Sequence, residues 1–293
     1  MSKKPLGIIL AAGRSSRLYP ATLAATKQVL PVYDKPLIYY PLSTLMLAGI
    51  KEFVIISNPD EKQIFQSLFA NCEETLGIKI YYGVQQSPKG IADAFNVVHE
   101  ALFGRIFDYD RFALILGDNI FYGAGLSETL KEAVESKQPT IFATKVPDPE
   151  RFGVVELNSA GAVSLEEKPE VPKSNLAVTG LYFYDRSIFD YVYQLRPSAR
   201  GELEITDINR RYLDQKDLDV YILPRGSIWF DTGTAESMLE ASIFIKTVQT
   251  AQGNLIGSPH EVAYNNGWIT KEQLNKTADL CAKTAYGKYL KDL

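Results

Sequence analysis

The chain is poor in the residues that build metal clusters and disulfide frameworks. Its 293 residues include two cysteines, Cys72 and Cys281, and two histidines, His99 and His260. The cysteines lie far apart and neither has a CxxC partner, which argues against a zinc site and against a disulfide scaffold. A long apolar run is also missing. The first hydrophobic stretch begins at Leu6 and breaks after Ala12 at Gly13 and Arg14, too short for a membrane span and poor as a signal peptide. No membrane contact is expected, and the expected compartment is the cytoplasm. Basic residues are not in excess, since 31 Lys and Arg face 35 Asp and Glu for a formal charge of −4. Nucleic-acid polymers are therefore poor candidate partners, whereas a small anion needs only local cations. The chain has no internal repeat, low-complexity tract or long linker. A GxGxxG after the first strand is absent too, and Ser57-Asn58 stand where a dinucleotide fold wants an acid, which disfavours a dehydrogenase.

Short apolar runs alternate with helix-like stretches through the first half: Leu6–Leu10, Lys35–Ala48, Glu52–Ser57, Glu61–Phe69, Lys79–Gly83, Ile91–Leu102 and Phe112–Leu116. This β–α alternation predicts an α/β fold with a mainly parallel sheet covered by helices. Pro36 suits the first turn of a helix over Leu37–Ala48, while Pro41 should bend that helix or move its start. After Ile141 strands dominate, at Ile141–Val146, Gly153–Leu157, Ala162–Glu166, Ala177–Tyr184 and Val220–Leu223. Helices are expected at Phe189–Leu195 and Ile205–Gln215 among them, then from Ala235 to the end.

Several segments carry candidate chemistry. The run Gly7–Leu10 opens into Ala11-Ala12-Gly13-Arg14-Ser15-Ser16-Arg17, with Lys27 ten residues on, and reads as a phosphate cradle or as an ordinary turn with solvated cations. Asp118, just past the strand Phe112–Leu116, lies where open α/β sheets bind ligands and could hold a metal on a triphosphate, or simply make a Gly-Asp-Asn turn. Asp231, behind Ile228-Trp229-Phe230, could join it on one metal or cap the next helix. Gln85, ahead of Gly90, offers a donor and an acceptor to a pyrimidine edge, or belongs to a polar connection. Glu166-Glu167-Lys168 could bind sugar hydroxyls and phosphate or sit in solvent. Gly153 could bring bare backbone to a ligand or mark a bulge.

Taken together, these segments resemble the sugar-nucleotide pyrophosphorylases, and within them the glucose-1-phosphate thymidylyltransferases. The likeness runs from Gly7 through Lys27–Pro36 and Tyr39–Ile50 to Ala263–Ile269, and includes Ala177–Asp185 and Gly201–Asp207. It implies the Rossmann-like nucleotide-diphospho-sugar transferase fold, with sugar-binding insertions and C-terminal helices. Residues 1–240 would form the core, with a nucleotide part to about 140 and a sugar part beyond it, and 241–293 a helical extension for packing and oligomer contacts. By the same resemblance Arg17 and Lys27 contact the triphosphate of dTTP, and Asp118 and Asp231 hold Mg²⁺. Leu10, Gly13, Ser15, Ser16, Gln85 and Gly90 would bind the nucleotide. Phe152, Gly153, Glu167 and Val178 would line the glucose of glucose 1-phosphate, with Lys168 on its phosphate. The implied products are dTDP-glucose and pyrophosphate, and the implied assembly is a homotetramer. UTP in place of dTTP is the alternative reading; a noncatalytic nucleotide-sugar-binding subunit is a second.

Two departures from the family pattern carry expectations. The phosphate loop reads Ala12-Gly13-Arg14-Ser15-Ser16-Arg17 where two further glycines are usual. A non-glycine residue at positive φ costs about 1 kcal/mol, so ordinary backbone dihedrals are expected at Ser15, with Ser15 and Ser16 serving phosphates through N–H and hydroxyl groups. In the stretches that form a second nucleotide site in bacterial relatives, Ser127 stands where histidine is common and Asn265 where arginine is common. A weakened or absent effector site is expected, because anion binding loses its cations.

Overall fold

The computed structural model describes residues 4–13, 15–159 and 161–293. β1 (Pro5–Leu10) is followed by one-turn 3-10 helices at Ser16–Leu18 and Lys27–Val29 and by a ribbon of β2 (Pro31–Val32) and β3 (Lys35–Pro36). Then come α1 (Tyr39–Leu47), β4 (Glu52–Ser57), α2 (Lys62–Leu68), α3 (Cys72–Thr75), β5 (Lys79–Val84), α4 (Ala94–Leu102) and β6 (Arg111–Leu116). Next are β7 (Asn119–Tyr122), α5 (Leu126–Glu135), β8 (Thr140–Lys145), β9 (Gly153–Asn158), β10 (Gly161–Glu167) and β11 (Leu176–Tyr184). The chain closes with α6 (Ile188–Gln194), α7 (Ile205–Asp214), β12 (Asp219–Ile222), β13 (Ile228–Asp231), α8 (Ala235–Gln252), α9 (Pro259–Asn265), α10 (Lys271–Leu280) and α11 (Ala285–Asp292).

The main sheet runs β10-β9-β11-β6-β1-β4-β5, with β8 also on β11 and β12 on β8. Strands β6, β1, β4 and β5 are parallel neighbours. Their carboxyl ends therefore share one edge. β11 enters antiparallel to β6 and carries β8 and β9 with it. Alternate residues of the central strands feed two cores, Ile9, Phe53, Ile55 and Ile115 on one face and Ile8, Val54, Ile56 and Leu114 on the other. Such two-sided burial explains why these strands read as unbroken apolar runs. The first core also takes in Ala263, Leu274, Tyr286 and Leu290 of the last three helices.

The first helix differs from its expected start. Lys35 and Pro36 pair with Val32 and Pro31 in the ribbon, and α1 begins at Tyr39, which places Pro41 in its first turn, where no i−4 hydrogen bond is lost. Arg111 opens β6 fully buried. Its Nε and Nη2 donate to the Ala133 carbonyl near the end of α5 at 3.1 and 2.7 Å, and burial pulls its pKa down to about 10. Among the described residues no helix is long and apolar enough to cross a membrane.

Candidate active site

The loop after β1 folds over the carboxyl edge. Gly13 N–H donates to Asn58 Oδ1 at 3.2 Å and Asn58 Nδ2 returns a bond to the Gly13 carbonyl at 3.0 Å, tying the loop to the end of β4. Ser15 is left-handed, at φ 46° and ψ 31°, which overturns the expectation of ordinary dihedrals there. The turn needs that conformation to close: the Ser15 carbonyl accepts from Leu18 N–H at 3.0 Å and from Thr22 Oγ1 at 2.9 Å. About 1 kcal/mol of backbone strain is the cost. Ser16 opens the 3-10 turn that carries Arg17, while Arg14 lies outside the described residues. The Arg17 guanidinium rests against Gly233, where a Cβ would stand 2.6 Å from Nη2. A loop near residue 15 thus meets the end of β13.

That contact point is also where the two acids converge. β13 pairs antiparallel with β7, Asp231 opposite Asn119. Thr232, fully buried, donates through Oγ1 and N–H to the Asp118 carbonyl at 2.7 and 3.0 Å. Asn119 Nδ2 donates to Asp118 Oδ1 at 3.0 Å, and its own Oδ1 accepts from Trp229 Nε1 at 2.6 Å and Gly180 N–H at 3.1 Å. The β8–β11 register shifts between Val178 and Tyr182, and Gly180 lies inside that shift. Lys27 Nζ binds Asp118 Oδ2. Burial opposes ionisation of Asp118, yet the Lys27 charge and the bonds from Lys27 and Asn119 hold its carboxyl below the ordinary range. Asp231 is pushed up, first by burial and then by the Asp118 charge, against the pull of Lys27 and Arg17. Repelling oxygens of this kind suit a hard divalent cation. Among the described residues no group of three or more His, Cys, Asp or Glu could hold a metal, so Asp118 and Asp231 could be at most part of a cation's ligand set, the rest coming from water or a ligand.

Beside the acids opens a cavity of about 300 Å³. Eight of the residues singled out from sequence line it: Arg17, Asp118, Asp231, Phe152, Gly153, Glu167, Lys168 and Val178. A Cβ on Gly153 would reach 3.2 Å from Thr206 Oγ1 and 3.5 Å from Glu167 Oε2, so glycine keeps this wall open. Glu167 accepts from Thr206 Oγ1 at 2.6 Å and from Arg200 Nη2 at 3.1 Å. Glu166 instead pairs with Lys173 at 2.6 Å. Phe152 packs edge-on against Trp229 at 5.1 Å between ring centres. Asn119, Thr206, Trp229 and Arg200 were not singled out by sequence reasoning. Each also has a partner 33 or more residues away, which no local spacing reveals, although Thr206 lies within the Gly201–Asp207 segment that carried the resemblance.

Leu10, Gly13, Ser15, Ser16, Lys27, Gln85 and Gly90 lie outside that cavity's lining. Leu10 ends β1 and its carbonyl accepts from Gly117 N–H at 2.9 Å; Gln85 follows β5 and its N–H donates to the Ser57 carbonyl at 2.9 Å. Gly90 has a structural reason to be glycine, being at φ 98° with the Leu203 carbonyl oxygen 2.4 Å from where a Cβ would stand. A second cavity, about 310 Å³, brings Ser127 and Asn265 together with Ser43, Glu128 and Glu261. No lysine, arginine or histidine is among the described residues that line it.

Residues 6–248 match the nucleotidyl transferase family. The chain belongs to that family. This nucleotidyl transferase is 51% identical over 286 residues to the glucose-1-phosphate thymidylyltransferase of Neisseria meningitidis, covering 97% of each chain. It is 48% identical to the enzyme of that name from Mycobacterium tuberculosis, over 98% of each. A Bacillus anthracis structure named for the same activity, solved with sucrose, superposes at a TM-score of 0.73 with 38% identity, covering 82% of this chain and 94% of that one. A UDP-glucose pyrophosphorylase solved with UDP-glucose superposes at 0.71 with 25% identity, over 85% of this chain and all of the other.

Proposed function

We propose that the chain transfers the thymidylyl group of dTTP to α-D-glucose 1-phosphate. A phosphate oxygen of the sugar phosphate attacks the α-phosphorus in line. The new P–O bond forms as the bond to the bridging oxygen breaks, and the electron pair leaves with pyrophosphate. The observation that carries this reading is the cluster of Asp118, Asp231, Lys27 and Arg17, set between the loop after β1 and the cavity that holds Glu167 and Lys168. Two cations there neutralise charge as it builds on the phosphates, and no protein nucleophile is required. Glu167, held by Thr206 and Arg200, presents acceptors to sugar hydroxyls, and the Lys168 ammonium faces the sugar's phosphate. Asp118 and Asp231 would hold Mg²⁺ together with phosphate oxygens, and the ion would supply Lewis-acid neutralisation of the phosphates.

The chain would act in the cytoplasm as a homotetramer. Support for self-association comes from Leu239 and Ile243, one turn apart on α8 and 62% and 56% exposed. Pyrophosphate release measured with glucose 1-phosphate and each of dTTP, UTP, CTP and ATP tests the reaction. The expected order is dTTP, then UTP, with little from the others and none after chelation of divalent metal. A preference for UTP would make the chain a uridylyltransferase, and no release with any nucleotide would make it a binding subunit.

A further inference from the structure

Gln85 lies just beyond β5 and is 5% exposed, with its N–H fixed on the Ser57 carbonyl. An amide side chain keeps its shape when its oxygen and nitrogen exchange places, so shape alone does not decide which one faces a ligand. Here a neighbour decides. Asp93, 7% exposed, accepts from Gln85 Nε2 through Oδ2 at 2.9 Å, and through Oδ1 it accepts from Asn96 Nδ2 at 3.1 Å. A residue at the start of a helix commonly spends its carboxylate on the helix's free N–H groups. Asp93 stands at that position before α4 and makes no such bond. Both of its oxygens are committed to orienting amides.

An ionised carboxylate only accepts. Turning Gln85 over would set its Oε1 against Asp93 Oδ2, losing a charge-assisted bond and placing two acceptors face to face in a buried spot. Gln85 Oε1 is therefore the end left for a ligand, and among the described residues it has no hydrogen-bond partner and is not sealed off from solvent.

We propose that Asp93 is a positioning residue for base choice: by holding Gln85 Nε2 it presents Gln85 Oε1 to the nucleotide and selects pyrimidines that carry an N3–H. Thymine and uracil donate from N3. Cytosine has an acceptor there, so the two acceptors repel and the site loses a bond. The inference rests on the reading of Gln85 as a base contact. It also accounts for an expected second place for UTP, because this device does not sense the 5-methyl group.

The test compares kcat/KM for dTTP and dCTP with glucose 1-phosphate as acceptor. Asp93→Asn can give Gln85 an N–H to face, which lets the amide turn over. The dTTP-over-dCTP ratio should fall tenfold or more, mainly through the two KM values. Asn96→Ala leaves the Gln85 bond but frees Asp93 to rotate, and should move the ratio less, in the same direction. A ratio within twofold of the wild type in both variants, or an equal loss for both nucleotides, would overturn the proposal. Should Asp93→Asn lose turnover, the dTDP-over-dCDP binding ratio from calorimetry reads the same quantity; should it fail to fold, Asn96→Ala decides alone. Gln85→Ala separates the underlying reading: if it changes neither nucleotide's KM, Gln85 is not a base contact, whatever Asp93 does.

Discussion

Two cavities of nearly equal size, about 300 and 310 Å³, lie in one chain and differ in charge. The first, at the carboxyl edge of the sheet, sets Arg17, Arg151 and Lys168 among Asp118, Asp231 and Glu167. The second, between α1, α5 and α9, contains Glu128 and Glu261 with hydroxyl and amide groups and, among the described residues, no lining cation. Volume is not what makes a site for phosphates. A polyanion needs cations aimed at it and carboxylates that can share a metal, and the first cavity alone has both.

The largest effect should come from the acids of the first cavity. Asp118→Asn removes the charge that pairs with Lys27, while the Asp118 carbonyl that Thr232 grips is untouched, so the fold should survive. A fall of about a thousandfold in kcat/KM, near 4 kcal/mol, is expected. Glu128→Gln in the second cavity should leave turnover within twofold. Steady-state kinetics on the pair decide, and equal losses would erase the contrast.

The helix behind the second cavity also holds a neutral side chain that does not line it. α9 carries His260, whose Nδ1 meets the Tyr286 hydroxyl at 2.8 Å, and burial depresses its pKa to about 4. An unfolded histidine titrates near 6.5. Between these values the unfolded chain binds the extra proton, so this contribution is fully present above about pH 6.5 and is lost as pH falls toward 4. The slope approaches about 1.4 kcal/mol per pH unit and the total is about 3 kcal/mol. Denaturant titrations at pH 4.5 and 7 should show a smaller difference for His260→Gln than for the wild type.

Gly233→Ala probes the first cavity without removing any functional group. The new Cβ would stand 2.6 Å from Arg17 Nη2 and 3.2 Å from Asp231 Oδ1. The end of a flexible side chain gives way cheaply, so the thermal midpoint should barely move. Displacing Arg17 should still lower kcat ten- to a hundredfold. The converse experiment equips the second cavity with cations. Calorimetry should find one dTDP per chain in the wild type, and Ser127→His with Asn265→Arg should add a second equivalent, about tenfold weaker than the first. Two equivalents in the wild type would show that the cavity binds nucleotides despite its acids.

Legibility in the sequence follows the range of the contacts involved. Leu6–Leu10, Glu52–Ser57 and Phe112–Leu116 were readable because strands buried on both faces leave continuous apolar runs. β7 was not read as a strand, since its partner β13 is about 110 residues away and Gly117-Asp118-Asn119 has the composition of a turn. α5 begins at a left-handed Gly125 with no side-chain cap, so it gave no start signal either. Lys35 and Pro36 read as part of the following helix because a two-residue ribbon has no period of its own. The charged site residues announced themselves by chemistry, at strand ends. Asn119 and Thr232, which hold the acids together, did not, because their work is done across more than a hundred residues or through a carbonyl.

The smallest effect expected lies in the loop that the two cavities do not share. Ser15 holds φ 46°, a conformation glycine adopts without penalty, so Ser15→Gly should relieve about 1 kcal/mol of strain in the folded state. The gain is offset in part by the extra freedom glycine gives the unfolded chain. The net change in unfolding free energy should therefore be a few tenths of a kcal/mol. Because Ser15 takes part in closing the turn through its carbonyl, and that group is unchanged, Arg17 should keep its place against Gly233. kcat/KM for dTTP should then change by less than tenfold, which is less than about 1.4 kcal/mol. A larger rise would mean that the serine holds the loop partly open and that the first cavity owes its phosphate affinity to the loop's closure as well as to its charges.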